Sequence, residues 1–272
     1  MLSWLSYAVA DCLVRVLPER WAESCAVALA RLTYAARVPA RARLEHNLSR
    51  LLACAPDRNV RALARESFAN FALSFVDFLR LGHGDPHRLA EMVEVHGAEH
   101  LDRARASGCG VILLSAHLGN WELGAAWLAS GGTPIHLVAR PHRSRWVERL
   151  YRRRRRAWGV RLVHGQAMWR AAEALRRREW VALMADRGAQ NERGAGRASV
   201  CAWAAALARR TRALVLPAVI VRLPDRRYAA YFEPPLDPAA ARAEGFVEPL
   251  RRHLRRHVRQ WFAFEALPEG LA

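Results

Sequence analysis

From about residue 92 onward, short apolar runs alternate with segments of helical period, and this alternation restricts the possible folds more than any other feature of the chain. The runs are MVEVHG (92–97), CGVILLSAH (109–117), IHLVAR (135–140), VRLVHG (160–165), WVALMAD (180–186), ALVLPAVIVRL (213–223) and YAAYFEPPL (228–236). CGVILLSAH is apolar at consecutive positions, as in a strand buried on both faces. Helical spacing fills the intervals 101–108, 121–130, 145–157, 167–178 and 202–210, and an Arg-rich helix is expected over 246–262. The pattern predicts an α/β fold, a mixed central sheet flanked by helices.

The first 80 residues carry helical patterns without such strands. The Gly/Pro-rich joint LGHGDPH (81–87) suggests a boundary, with an N-terminal helical, membrane-associating segment over 1–85 and an α/β domain over 86–272. In the opening helix Leu2, Leu5, Val9, Cys12, Leu13 and Val16 fall on one stripe, beside Trp4 and Tyr7. That stripe suits a helix lying in a membrane interface and equally one facing a core. The stretch is too short and too polar to span a bilayer, and it lacks the basic start of a secretory signal. A later aromatic stripe, Phe68, Phe71, Phe75 and Phe78, is expected in the core.

Charge narrows the partners. The chain has 43 Lys+Arg against 25 Asp+Glu, a net charge of +18, and every one of those cations is arginine. Chemistry that needs a lysine Schiff base or a P-loop lysine is therefore excluded. The surplus suits a polyanion: nucleic acid, an anionic membrane face or a phosphorylated substrate. Nucleic acid is disfavoured, because no RRM, KH, zinc-finger or basic-zipper pattern occurs and the cations are spread along the chain. The five cysteines stand singly without CxxC, which argues against disulfides or zinc and for buried packing among apolar neighbours.

The candidate site begins at His117, at the carboxyl end of the expected strand 109–117, where α/β sheets place their ligands. Gly119 and Asn120 form a turn before the next helix, and Glu122 sits in its first turn. The turn would let the Glu122 carboxylate fold back on the imidazole, giving a base oriented by an acid. Trp121 and Trp127 suit either the wall of a cleft or plain core.

His117 and Glu122, separated by Leu118-Gly119-Asn120-Trp121, resemble the H-x4-(D/E) motif of the glycerolipid and lysophospholipid acyltransferases. The string SAHLGNWE (115–122) is closer still to the lipid A biosynthesis acyltransferases. Residues 138–163, with Arg140-Pro141 and the arginines before Trp158-Gly159, are similar to that family's second block. LMADRGAQNERG (183–194), LARRTRALVLPAVIVR (207–222) and HVRQWFAF (257–264) follow in the family's order. The chain departs from the family at Arg187, where glutamine is usual, in a short 188–200 loop, at Trp203 where a small residue is usual, and in its tail.

The resemblance implies O-acyl transfer from an acyl-carrier-protein or acyl-CoA thioester, as co-substrate, to a hydroxyl of a phosphorylated glycolipid such as a lipid A precursor. It implies no metal, no cofactor and no covalent acyl-enzyme. His117 would be the base and Glu122 its orienting acid. Arg140 would grip a phosphate of the acceptor, with Asn120, Asp186, Arg187 and Arg149 as further substrate-binding candidates. Asp186 would partner Arg140 or acceptor hydroxyls. In the run Arg152–Arg156 most side chains would be solvated. The oxyanion donors would be backbone N–H groups of 118–121 or Arg140. Expected partners are an acyl carrier protein and anionic membrane lipid, at the cytoplasmic face of the cell inner membrane.

Overall fold

The computed structural model describes residues 2–53, 58–81, 85–142, 144–164, 168–186, 200–239, 243–265 and 267. Its strands are β1 (Val93–His96), β2 (Val111–Ser115), β3 (Ile135–Ala139), β4 (Arg161–His164), β5 (Trp180–Met184), β6 (Leu214–Arg222) and β7 (Tyr228–Phe232). They form one sheet in the order β1-β7-β6-β2-β5-β3-β4. Every neighbouring pair is parallel except β6 and β7, so the sheet is mixed, as the alternation predicts. Each expected run contains a strand, trimmed at its ends.

The helices are α1 (Leu2–Val16), α2 (Glu19–Ala35), α3 (Pro39–Leu51), α4 (Val60–Leu81), α5 (Pro86–Glu91), α6 (Ala98–Ala106), α7 (Trp121–Ser130), α8 (Arg145–Ala157), α9 (Met168–Arg176), α10 (Val200–Thr211) and α11 (Ala243–Arg256). The helix expected over 246–262 stops at Arg256; a 3-10 turn, Val258–Gln260, follows, and Trp261 leaves it to bridge Leu118. Tertiary pairing outweighs local helical preference there.

Alternate residues of β2 enter two cores. Ile112 and Leu114 pack with α3, α10 and α11, through Leu44, Leu48, Cys201, Leu250 and Leu254. Val111 and Leu113 pack with α6 and α7, through Leu101, Leu123 and Leu128. The N-terminal helices thus share a core with the sheet. The aromatic stripe of α4 is largely internal: Phe68 meets Tyr34 and Phe264 edge-on, and Phe78 stacks on Tyr151.

The outward stripes of α1 and α2 have no such cover. Val9, Leu13 and Val16, then Trp21, Leu29 and Leu32, are exposed, Val16 by 75% and Trp21 by 68%. No helix among the described residues is long and apolar enough to cross a membrane. Three cysteines correct the expectation of burial. Cys12 and Cys25 lie on these outward stripes and Cys109 on the turn before β2; all three are exposed, whereas Cys201 is buried. Cys54 lies outside the described residues.

Helix α11 meets the sheet through rings: Tyr231 packs on His253 at 5.1 Å and on His257 at 5.4 Å. Burial first, and the charges of His253 and Arg256 after it, push His257 down to about 4. In the unfolded chain this ring titrates near the ordinary value of 6.5. Between those two values the unfolded chain binds a proton that the folded one refuses. The stabilisation is therefore full above about pH 6.5 and is lost as the pH falls toward 4. Melting temperature measured from pH 7 to 4 should fall, and His257→Gln should flatten that slope.

Candidate active site

Strand β2 ends at Ser115, and the chain then makes a sharp turn at His117. The Leu118 N–H donates to the Ala116 carbonyl (2.7 Å), closing a three-residue turn with His117 at its apex. Gly119 has φ +61°, and a Cβ there would stand 2.0 Å from the Ile220 carbonyl oxygen. Only glycine lets the turn lie this close to β6. The Gly119 N–H donates to the Gln260 carbonyl (2.9 Å), and the Phe262 N–H donates to the His117 carbonyl (2.9 Å). The segment after α11 thus clamps the turn from outside. Gly119→Ala should destabilise the fold by about 3 kcal/mol or more, from strain plus overpacking, measurable by urea denaturation.

Asn120 caps α7: its Oδ1 accepts from the Leu123 N–H (3.1 Å), and its Nδ2 donates to the Ser74 carbonyl (3.1 Å). The amide expected to bind substrate is engaged at both ends by the protein, and Asn120 is buried.

The partner of the His117 ring corrects the sequence expectation. His117 Nδ1 lies 2.7 Å from Asp186 Oδ1. Asp186 Oδ2 also accepts from the His117 backbone N–H (2.9 Å) and the Trp261 indole N–H (3.0 Å). Glu122 turns the other way, into a bidentate pair with Arg155 whose Nε–Oε2 distance is 2.9 Å. The reason lies in the sheet. Ser115 pairs with Met184, and the Ala185 N–H donates to the Ser115 carbonyl (2.7 Å), so Asp186 emerges from β5 beside His117. Burial raises the Asp186 carboxyl, but the His117 ring, the indole and the amide outweigh it and hold the group below its ordinary value. Among the described residues, His117 Nε2 makes no hydrogen bond.

Within the arginine run Arg152, Arg153 and Arg156 are exposed, as expected for most of it. Arg154 and Arg155 are buried, the first paired with Asp11 of α1 and the second with Glu122 of α7. A carboxylate buried in the first turn of α7 needs a cation, and α8 supplies it.

Register places Arg140. Ala139 ends β3, and β3 and β2 flank β5, with Leu137 and Leu113 both level with Ala182. Two strand spacings put its backbone roughly 10 Å from that of His117. Arg140 is exposed at this carboxyl edge, Arg149 is exposed on α8, and Arg187 lies outside the described residues, as does the 188–199 loop. Of the N–H groups of 118–121, those of Leu118 and Gly119 are already engaged. Trp203 is half-buried against the core.

An apolar slot runs between α7 and the sheet, lined by Leu113, Trp121, Gly124, Leu137, Met184 and Ile220 among others. Trp121 also meets the His117 ring edge-on, with centroids 4.8 Å apart. Trp127 lines the same slot, so both tryptophans wall a cleft.

Sequence reasoning assigned no role to Trp261, Gln260 or Arg155. The tail HVRQWFAF was visible as a family-like block, but its contact with the turn exists only in three dimensions.

The site consists of a histidine at a strand end, held by a buried acid, with a narrow apolar slot walled by Trp121 beside it. The chain is 36% identical to a phosphatidylinositol mannoside acyltransferase of Mycolicibacterium smegmatis over 149 residues, 55% of this chain and 47% of that protein. It is 31% identical to a phosphatidylinositol mannoside acyltransferase of Mycobacterium tuberculosis (strain CDC 1551 / Oshkosh) over 125 residues, 45% of this chain and 39% of that protein. The matched region thus spans less than half the length of these curated relatives. The profile of the bacterial lipid A biosynthesis acyltransferases matches residues 1–264, nearly the whole chain. This chain belongs to the bacterial lipid A biosynthesis acyltransferase family.

Proposed function

We propose that the protein transfers a fatty acyl chain from a thioester to a hydroxyl of a phosphorylated glycolipid, with His117 as general base. The observation that carries this reading is the His117–Asp186 pair, with Nε2 making no hydrogen bond among the described residues and the ring packed against Trp121 of the apolar slot. Asp186 accepting at Nδ1 favours the tautomer in which Nε2 carries the lone pair. Nε2 takes the proton of the acceptor hydroxyl as its oxygen attacks the thioester carbonyl. The C–S bond breaks, and the imidazolium returns the proton to the departing thiolate. Asp186 stabilises the imidazolium in between. Glu122 acts through Arg155, fixing α7 to α8 behind the turn. Arg140 and the first N–H groups of α7 are the oxyanion and phosphate donors of choice, since helix N-terminal N–H groups have no partner within the helix.

The donor is an acyl-carrier-protein or acyl-CoA thioester, and no metal or cofactor enters the reaction. The acceptor is a glycolipid with a phosphate near its sugars, such as a lipid A precursor or a phosphatidylinositol mannoside, the lipid named for the relatives. The protein works at the cytoplasmic face of the cell inner membrane. The exposed stripes of α1 and α2 enter the interface, and the net charge of +18 is drawn to anionic lipid.

Detergent-purified protein given labelled acyl thioesters and a membrane lipid extract should yield one acylated phosphoglycolipid, identified by mass. Intact thioesters across several chain lengths would refute the reading. Chain length is set by the slot: Met184→Trp should narrow its mouth and shift preference toward shorter donors, seen in competition between donors of different length.

A further inference from the structure

At the β1 edge of the sheet a second cleft, of about 320 Å³, is lined by His96, Gly97, Glu99, His100, Tyr231–Glu233, Arg252, His253 and Arg256. Neither His117, Asp186, Trp121 nor Arg155 lines it. The catalytic turn rests on Ile220 and Val221, opposite Ala230 and Ala229; the cleft lies beyond, at the far end of β7. We propose that this cleft binds a phosphomonoester group.

Four observations carry the assignment. First, cations converge on the cleft from α11. Arg256 has no ion-pair partner among the described residues and lies over the Tyr231 ring at 5.6 Å. Arg252 reaches Glu233 only at 3.8 Å. A guanidinium fork matches phosphate geometry. Second, the acids present are occupied: Glu233 holds His253 Nε2 at 2.7 Å, and Glu99 is exposed beside His100 at 3.5 Å. Third, His253 is 6% exposed, and its Nδ1 has no hydrogen-bond partner among the described residues. Buried polar atoms normally find one. Fourth, Gly97 opens α6 at the cleft, with φ +76° and a Cβ that would stand 2.1 Å from the Phe232 carbonyl oxygen. Glycine thus brings the N-terminus of α6, with its partial positive charge, against the end of β7.

The rings exclude a base-stacking ligand. Tyr231 has His96 parallel on it at 4.6 Å, with His253, His257 and Arg256 also packed around its ring. What fits is a compact polar anion, offered either by a soluble sugar phosphate or by the headgroup of a phosphomonoester lipid. The proposal stands independently of the acyl-transfer reading.

The test is calorimetric titration of the full chain with inorganic phosphate and with glucose 6-phosphate, beside flotation with phosphatidate vesicles. Sodium chloride at matched ionic strength is the control. Wild type and His117→Ala should bind alike. Arg252→Gln/Arg256→Gln, both changed side chains being exposed, should weaken binding about ten-fold or more. Arg256→Lys should retain part of it. Binding of the soluble phosphates identifies a free metabolite as the source; Arg256-dependent binding of vesicles alone identifies a headgroup. The proposal falls if neither probe binds, if the double variant binds as wild type does, or if chloride competes as well as phosphate.

Discussion

His117→Ala should lower kcat by about 10² to 10⁴-fold, the usual contribution of a positioned general base, and should lower the melting temperature as well, because the Asp186 carboxylate is left buried without its ring partner. The ring is at the apex of a turn whose backbone bonds to Ala116 and Phe262 do not involve the side chain, so its removal spares the clamp. Asp186→Asn should produce a loss of similar size in kcat, because an amide no longer fixes the tautomer that frees Nε2. It should also cost stability, about 1–3 kcal/mol, since the carboxylate accepts from two further donors, the His117 amide and the Trp261 indole. Initial rates with saturating donor, paired with thermal denaturation, separate the two effects. If Asp186→Asn turned over like wild type, the orienting role would have to be given to another group.

The second large effect belongs to Glu122. Removing one member of a buried ion pair strands the other, at a cost of roughly 3–5 kcal/mol. Glu122→Gln should leave the Arg155 guanidinium buried against an uncharged amide and unfold the protein at markedly lower denaturant. Arg155→Met should cost a comparable amount. The double variant Glu122→Gln/Arg155→Met should be more stable than either single one, because no charge is left unpaired. Activity discriminates the two possible roles of Glu122. As a fastening for α7 it should allow the double variant to recover turnover along with stability. As a relay to His117 it should leave the double variant as slow as Glu122→Gln.

The architecture was legible because strand and helix periods survive in the sequence. VILLS is buried at every position of β2, and Arg145–Ala157 and Trp121–Ser130 match their expected helices residue for residue. His117 and its glycine turn were equally legible, because a strand end followed by Gly119 is a local signal. The acid that holds the ring was not. Asp186 stood among the candidates, yet its pairing with His117 depends on β5 lying next to β2, and no local spacing announces which strands are neighbours. Glu122 was assigned to His117 because the two are close in sequence. Its partner Arg155 is on another helix, hidden in a run of five arginines where nothing marks the buried ones. The outward stripes of α1 and α2 were ambiguous for a different reason. Apolar periodicity shows that a face is apolar, and is silent on whether protein or lipid covers it.

Synthesis on the ribosome runs from His117 through Asp186 to Trp261, and the clamp on the turn comes from residues that follow every strand of the sheet. A nascent chain can therefore align β2 with β5 and bring ring and carboxylate together while the turn still lacks its outer support. The indole and the Phe262 amide arrive only after β7 and α11 have been made. Translation thus acts as a timer, and a nascent chain carries an unfinished centre until the segment Gln260–Phe262 has emerged.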